Sequence, residues 1–206
     1  MASKGTTDFA TSILALFMLA LTPLAQAGES PGSGGHNAAG KAESPYLVLI
    51  SVDGFSADYM SIYPTPALDR ITVAGIRAES MRPVFPSLTF PNHYSIATGL
   101  YPSEHGIVHN HFPDETRGNW YHLWDRSDVE DGRWYGGEPI WVTAEKNGLV
   151  SAAYYFVGTE AAIQGVPPSH WHSFDASVPG SERVATVIDW LQWPEDRRPH
   201  VITLYF

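Results

Sequence analysis

Three polar side chains stand where an α/β sequence can do chemistry. Asp53 closes the segment SVDGF, directly after the apolar run Tyr46–Val52. In an open sheet, side chains at the end of such a strand converge on a crevice, and a carboxylate there can ligate a divalent cation. Asp-Gly is equally an ordinary turn pair. Thr89 lies in Phe85-Pro86-Ser87-Leu88-Thr89-Phe90-Pro91-Asn92-His93, just before a helix expected to begin at or near Pro91. A hydroxyl at that point faces the exposed N–H groups and positive end of the helix, a setting that attracts phosphate or sulfate. With a metal ion to stabilise its alkoxide it becomes a competent nucleophile; without one it is an N-cap. Asn110 follows twenty-one residues later in HGIVHNH. Its uncharged amide can donate to an oxygen on which charge accumulates, or it can be a turn residue.

The elements that must carry these residues follow from periodicity. Tyr46–Val52 (YLVLISV) reads as a strand buried on both faces of a mostly parallel sheet. Pro66–Ala74 has helical apolar spacing, Arg77–Val84 reads as a possible second strand, and Pro91–Thr98 as a helix stopped by Gly99. The long polar and aromatic stretch His105–Gly137 carries turn signals and is assigned no regular structure. Pro139–Asn147 reads as a helix stopped by Gly148, and Leu149–Phe156 as a strand. Ser181–Trp193 is expected to be a helix capped by Ser181, and His200–Phe206 (HVITLYF) a further strand. A final core strand with nothing after it reads as part of a larger sheet, so the chain is expected to be a fragment.

Composition narrows the function. The 206 residues carry 12 Lys+Arg against 22 Asp+Glu, a net charge of −10, which argues against a nucleic-acid polymer as partner. A bound small phosphate would need its charge met by a metal. With no cysteine there is no disulfide, thiolate metal site or cysteine nucleophile, so metal chemistry falls to Asp, His and hydroxyl groups. Residues 1–27 combine an early Lys4, the apolar run Ile13–Leu21 and the small-residue site Ala25-Gln26-Ala27, which reads as a cleaved signal peptide. The run falls short of the roughly 20 residues that span a bilayer. The expectation is an exported protein, periplasmic or secreted, with no stable membrane anchor after cleavage. Residues 28–43, rich in Gly, Ser and Ala, read as a flexible leader, and residues 44–206 as the domain proper.

Taken together, SVDGF, PSLTFPNHYSIATGLYPSEHGIVHN and the later GTEAAIQGVPPSHW resemble the nucleotide pyrophosphatase/phosphodiesterase family of the alkaline phosphatase superfamily. The similarity runs from about Tyr46 to Phe206. It implies an alkaline-phosphatase-like α/β fold, with a mostly parallel sheet, helices on both faces, and a catalytic domain present only in its N-terminal part. It also implies a phosphodiesterase with two divalent ions, zinc in the family, acting on small-molecule phosphodiester or nucleotide substrates. Asp53 would ligate a metal, Thr89 would be both ligand and nucleophile, and Asn110 would hold the phosphoryl oxygen. Phe90 matches the family's aromatic residue after the nucleophile, and Phe174, after PSHWHS, a second one against the substrate. Many relatives read Trp-Pro-Gly where this chain has Phe156-Val157-Gly158, which bears on substrate preference. The remaining metal ligands of the family would lie beyond Phe206, so the fragment is expected to be inactive.

Other readings remain. A phosphomonoesterase or sulfatase of the same superfamily is the near alternative, although a sulfatase wants a nucleophile made from Cys or Ser. A non-catalytic secreted binding module would use Trp120, Tyr121, Trp124, Trp134, Tyr135 and Trp141 as an aromatic face. Two-residue spacing puts His109 and His111 on one side of an extended segment, and His170 and His172 repeat it. Two ligands fall short of the four that structural zinc takes. These histidines, and His93, are read as solvated or locally hydrogen-bonded.

Overall fold

A computed structural model describes residues 35–206; the expected signal peptide and the first part of the leader lie outside them. In chain order the elements are β1 (Leu47–Ser51), α1 (Tyr59–Ile62), α2 (Pro66–Ala74), α3 (Thr89–Thr98), α4 (Pro102–His105), β2 (His111–Asp114) and β3 (Asn119–His122). They continue with α5 (Arg126–Val129), α6 (Ile140–Lys146), β4 (Ser151–Tyr154), β5 (His170–His172), α7 (Gly180–Gln192) and β6 (Val201–Tyr205). Four strands form one parallel sheet in the order β1-β6-β4-β5, and β2 and β3 pair as a separate antiparallel hairpin. The fold is α/β with a parallel main sheet, as the β-branched runs imply, but β1, expected to be buried on both faces, is the edge strand of that sheet and is largely exposed.

Alternation along the strands divides the core between two faces. Ala152, Tyr154, Ile202 and Leu204 pack with Val187 and Trp190 of α7 on one face. On the other, Tyr94 and Ala97 of α3 and Trp141 and Val142 of α6 join Phe156, Val157 and the hairpin residues Phe112 and Tyr121. Helices therefore cover both faces, and period-2 side-chain geometry is the reason.

Several local expectations need correction. Residues 77–84 form no strand; Met81 is largely exposed, and the stretch offers too few apolar side chains to bury a pleated face. The strand that pairs with β1 comes instead from the far end of the chain, as β6. Helix α7 begins one residue before Ser181, with Pro179 at its cap and no side-chain cap bond, so Ser181 sits within the first turn. The region after His105 is more ordered than its polarity implies, because the inward pair Phe112 and Tyr121 stacks at 5.1 Å and seats the hairpin on the core. The described part of the leader is tied down as well. Asn37 donates to the carbonyls of Glu195 and Arg198, both at 2.9 Å, and accepts from the Val150 N–H at 2.8 Å. One amide thus satisfies backbone groups at the start of β4 and before β6, which composition alone does not reveal.

His105 is fully buried at the end of α4. Its Nδ1 accepts the Ile107 N–H at 3.2 Å, so Nε2–H donates to Ser95 Oγ at 2.9 Å. Burial pushes its pKa below the ordinary 6.5, against smaller opposing contributions from nearby hydrogen bonds and Glu104. The unfolded chain then takes up this proton at a higher pH than the folded one. The stability concerned is present above about pH 6.5 and is lost as the pH falls toward the folded pKa. Urea midpoints should fall between pH 7 and 5, and His105→Gln should flatten that slope by at most about 1.4 kcal/mol per pH unit.

Candidate active site

The site is assembled at the carboxyl end of β1. Parallel pairing places Tyr205 of β6 beside Ser51. Backbone bonds continue the ladder past the strand end, from Phe206 N–H to the Ser51 carbonyl at 2.9 Å and from Asp53 N–H to the Phe206 carbonyl at 2.8 Å. Those bonds fix Asp53 at the sheet edge rather than leaving it in a free turn. Its Oδ2 accepts two hydrogen bonds, one from Thr89 Oγ1 and one from the Tyr205 hydroxyl, each 2.9 Å long. Burial first, and then the bond to Asp53, hold the Tyr205 phenol well above its usual range, so it stays a donor at neutral pH.

Thr89 is the first residue of α3, preceded by Leu88 in extended conformation. It is not the helix cap. Its hydroxyl leaves the helix toward Asp53; in the first turn the Phe90 N–H is taken by the Asn110 side chain and the Asn92 N–H by the Leu88 carbonyl, and Pro91 has none. One turn on, His93 is buried and bridges the helix start to the sheet. Its Nδ1–H donates to the Thr89 carbonyl at 2.7 Å, and its Nε2 stands 2.7 Å from Ser51 Oγ. With Nδ1 protonated, the neutral ring accepts the serine proton at Nε2.

Asn110 sits immediately before the hairpin. Its Oδ1 accepts the Phe90 N–H at 3.0 Å, which orients the amide and turns the Nδ2 donors away from that bond. Thr89, Phe90 and Asn110 all line a cavity of about 280 Å³, and Phe174 lines it too. The walls are largely aromatic: Phe90, Tyr155, Phe156 and Phe174, with Tyr155 and Phe174 in edge contact at 5.2 Å. Tyr155 carries a left-handed φ of 61°, which ends β4 and swings residues 156–158 into the wall. Gly158 follows at φ 88°, and a Cβ there would stand 3.2 Å from the Tyr94 ring, so glycine suits both the turn and the packing. Burial raises the Tyr155 phenol to about 12.

The structure therefore brings Asp53 and Thr89 into direct contact, ties Asn110 to the residue after Thr89, and puts Phe90 and Phe174 in one cavity. Sequence reasoning missed Tyr205, His93 as a brace, and an ion pair in the cavity wall between Arg126 and Glu160. Arg126 also pairs with Glu130 at 2.5 Å. For Tyr205 a signal existed: two parallel runs, YLVLISV and HVITLYF, end on polar groups that pairing must place side by side. The proposed aromatic face does not exist as one surface. Tyr121, Trp134, Tyr135 and Trp141 are buried in the core, leaving Trp120 and Trp124 exposed.

Residues 47–206 match the family described as type I phosphodiesterase / nucleotide pyrophosphatase. The chain belongs to that family. It is 42% identical over 165 residues to human ectonucleotide pyrophosphatase/phosphodiesterase family member 1, covering 79% of this chain and 18% of that protein. It is 41% identical over 169 residues to venom phosphodiesterase CdcPDE of Crotalus durissus collilineatus, covering 81% of this chain and 20% of that protein. The chain thus spans about a fifth of the length of these relatives. Among solved structures, murine ectonucleotide pyrophosphatase/phosphodiesterase 5 superposes with a TM-score of 0.73 at 30% identity, over 78% of this chain and 43% of that one. An inactive threonine-to-alanine variant of the murine protein, solved in complex with AMP, gives a TM-score of 0.74 at 29% identity. The α/β fold of this family member is the alkaline-phosphatase-like one that its sequence motifs imply.

In this family member the Tyr205 hydroxyl helps aim the Asp53 carboxylate. Tyr205→Phe should lower stability by about 0.5–1.5 kcal/mol, the range for an ordinary hydrogen bond, because the Asp53 end is exposed. Chemical denaturation measures it; an unchanged midpoint would show that the bond contributes nothing net.

Proposed function

We propose that this chain is part of an exported, metal-dependent hydrolase that cleaves phosphodiester or pyrophosphate bonds of nucleotide-type substrates through a phosphothreonine at Thr89. The observation that carries the reading is the 2.9 Å contact between Thr89 Oγ1 and Asp53 Oδ2 at the head of α3. Two oxygens at that separation fit neighbouring positions around one divalent cation, whose oxygen ligands stand about 2.0–2.2 Å away in the case of zinc. Asp53 and Thr89 would hold the ion, and its presence would favour the Thr89 alkoxide at neutral pH. Among the described residues no group of three or more His, Cys, Asp and Glu is placed to hold a metal. Asp53 and Thr89 are two of the roughly four ligands a zinc ion takes, and the chain spans about a fifth of its relatives' length, so the 206-residue chain alone is expected to be inactive.

The chain's own residues divide the remaining work. Thr89 Oγ1 attacks phosphorus, an O–P bond forms, and the bond to the leaving oxygen breaks with its electron pair. Asn110 Nδ2 donates to the non-bridging oxygen on which charge accumulates. His93 and Asp53 hold the Thr89 carbonyl and hydroxyl, so the nucleophile needs little reorientation. Water then attacks phosphorus and releases the Thr89 hydroxyl. Phe90 and Phe174 offer ring faces to a base or other planar group, in keeping with the AMP bound by the murine relative's inactive variant.

Export rests on the signal-peptide reading of residues 1–27 and on relatives that include venom enzymes. No helix among the described residues is long and apolar enough to cross a membrane.

Bis(p-nitrophenyl) phosphate hydrolysis tests the reading on the full-length gene product. Thr89→Ala should abolish turnover, Asn110→Ala should lower kcat by about 10²–10³-fold, and chelation should remove activity that zinc restores. Turnover by the 206-residue chain that survives Thr89→Ala would overturn the assignment.

A further inference from the structure

The hairpin carries a feature that the hydrolytic site does not use. His111 and His122 are register partners across β2 and β3, and their Nδ1 atoms stand 2.6 Å apart. The ring planes are nearly perpendicular, at 83°. The pairing differs from the one that sequence spacing offers, since His109 turns its own Nδ1 to the His111 N–H at 3.2 Å. Two neutral imidazoles facing through the same ring nitrogen need one proton between them, or a cation that takes both lone pairs.

The surroundings favour a cation. The next rung, Phe112 and Tyr121, is buried in the core and anchors the hairpin, so the histidine rung is presented outward on a fixed backbone. Trp120 packs its ring against His111 at 4.7 Å. Asp128 Oδ2 accepts the His122 backbone N–H at 2.9 Å, and the Asp125 carboxylate accepts the Ser127 N–H and hydroxyl at 2.9 and 2.7 Å, so two carboxylates flank the turn after the histidine rung. We propose that His111 and His122 form a two-imidazole binding site for a borderline divalent cation, Cu²⁺ foremost, completed by water.

Geometry selects the class of metal. At bond lengths of about 2.0 Å, two nitrogens in adjacent corners of a square plane stand about 2.8 Å apart, and two in a tetrahedron about 3.3 Å. The observed 2.6 Å is nearer the tetragonal value, and only a few tenths of an ångström of ring rotation is required. Cu²⁺ and Ni²⁺ take that geometry with nitrogen ligands, whereas Mg²⁺ and Ca²⁺ prefer an oxygen cage. The site also sits at the hairpin's base, where Leu123 N–H donates to the Asn110 carbonyl at 3.0 Å. A bound ion would clamp the rung next to the residue assigned to the phosphoryl oxygen.

Cu²⁺ titration of the tag-free 206-residue chain, followed by electron paramagnetic resonance and calorimetry, tests the site. A tetragonal signal with coupling to two nitrogens is expected. His111→Ala and His122→Ala should each weaken binding about a hundredfold by destroying the chelate, while His109→Ala and Asp53→Ala leave it unchanged. His111→Gln, with circular dichroism to confirm the fold, separates loss of the ligand from loss of the hairpin. A two-nitrogen signal that survives His111→Ala/His122→Ala, or one removed by Asp53→Ala, overturns the proposal. So does an absence of saturable Cu²⁺ binding, which would leave a shared proton as the sole occupant.

Discussion

The Thr89–Asp53 contact depends on strand pairing that spans almost the whole domain. Asp53 is held in place because β1 lies beside β6, about 150 residues later in the chain, and the ladder runs one step beyond both strands. Were β1 an isolated edge segment, its Asp-Gly end would be the ordinary turn that local sequence also permits. The sheet thus turns an ambiguous turn residue into a fixed carboxylate. Helix α3 supplies the opposite half of the contact. Its first residue carries the hydroxyl, and its fifth carries the imidazole that ties the helix start back to Ser51 of the same strand.

This arrangement makes the site a junction of three rigid pieces. The sheet presents Asp53 and Tyr205, α3 presents Thr89 and Phe90, and the segment leading into the hairpin presents Asn110. Each piece is joined to the next by a hydrogen bond of 2.7–3.0 Å: Asp53 to Thr89, His93 to Ser51, and Asn110 to the Phe90 N–H. Buried aromatic packing beneath, with Tyr94, Tyr121 and Phe156 in one cluster, restricts motion of the pieces against one another. Positional precision at a loop-rich site comes from these ties rather than from long secondary structure.

Much of this was legible in the sequence. The strand at Tyr46–Val52, the helix at Pro66–Ala74, the helix stop at Gly99 and the last strand rest on β-branched runs, proline at a helix start and a glycine that adopts φ 71°. Asp53, Thr89 and Asn110 could be selected because each sits at a boundary between elements. What failed were inferences that need a tertiary partner. The stretch at 77–84 looked extended but had no apolar face to bury; residues 111–122 looked irregular, yet form a hairpin because Phe112 and Tyr121 stack on a core built elsewhere. Asn37 was invisible for the same reason, since its partners lie more than a hundred residues away; Tyr205 could be found only by pairing two strands that lie as far apart. His111 is locally hydrogen-bonded as expected, but its pairing with His122 was not legible because spacing along one strand does not give the register across two.

Charge completes the physical account of the cavity. The chain is acidic, and the cationic side chain lining the cavity, Arg126, is already engaged with Glu130 and Glu160. An arginine shared between two carboxylates has little left for a phosphate, because transferring it would leave a partly buried Glu160 unpaired. On the proposed reading, the charge of a phosphoryl group would be met by ions held at Asp53 and Thr89 and by the neutral Asn110 amide. The same ion pair is suited to a different task. Set among Phe90, Tyr155 and Phe174, it gives an otherwise apolar wall one polar edge, where a planar ring with its own donors and acceptors can be oriented without competing for the reacting group.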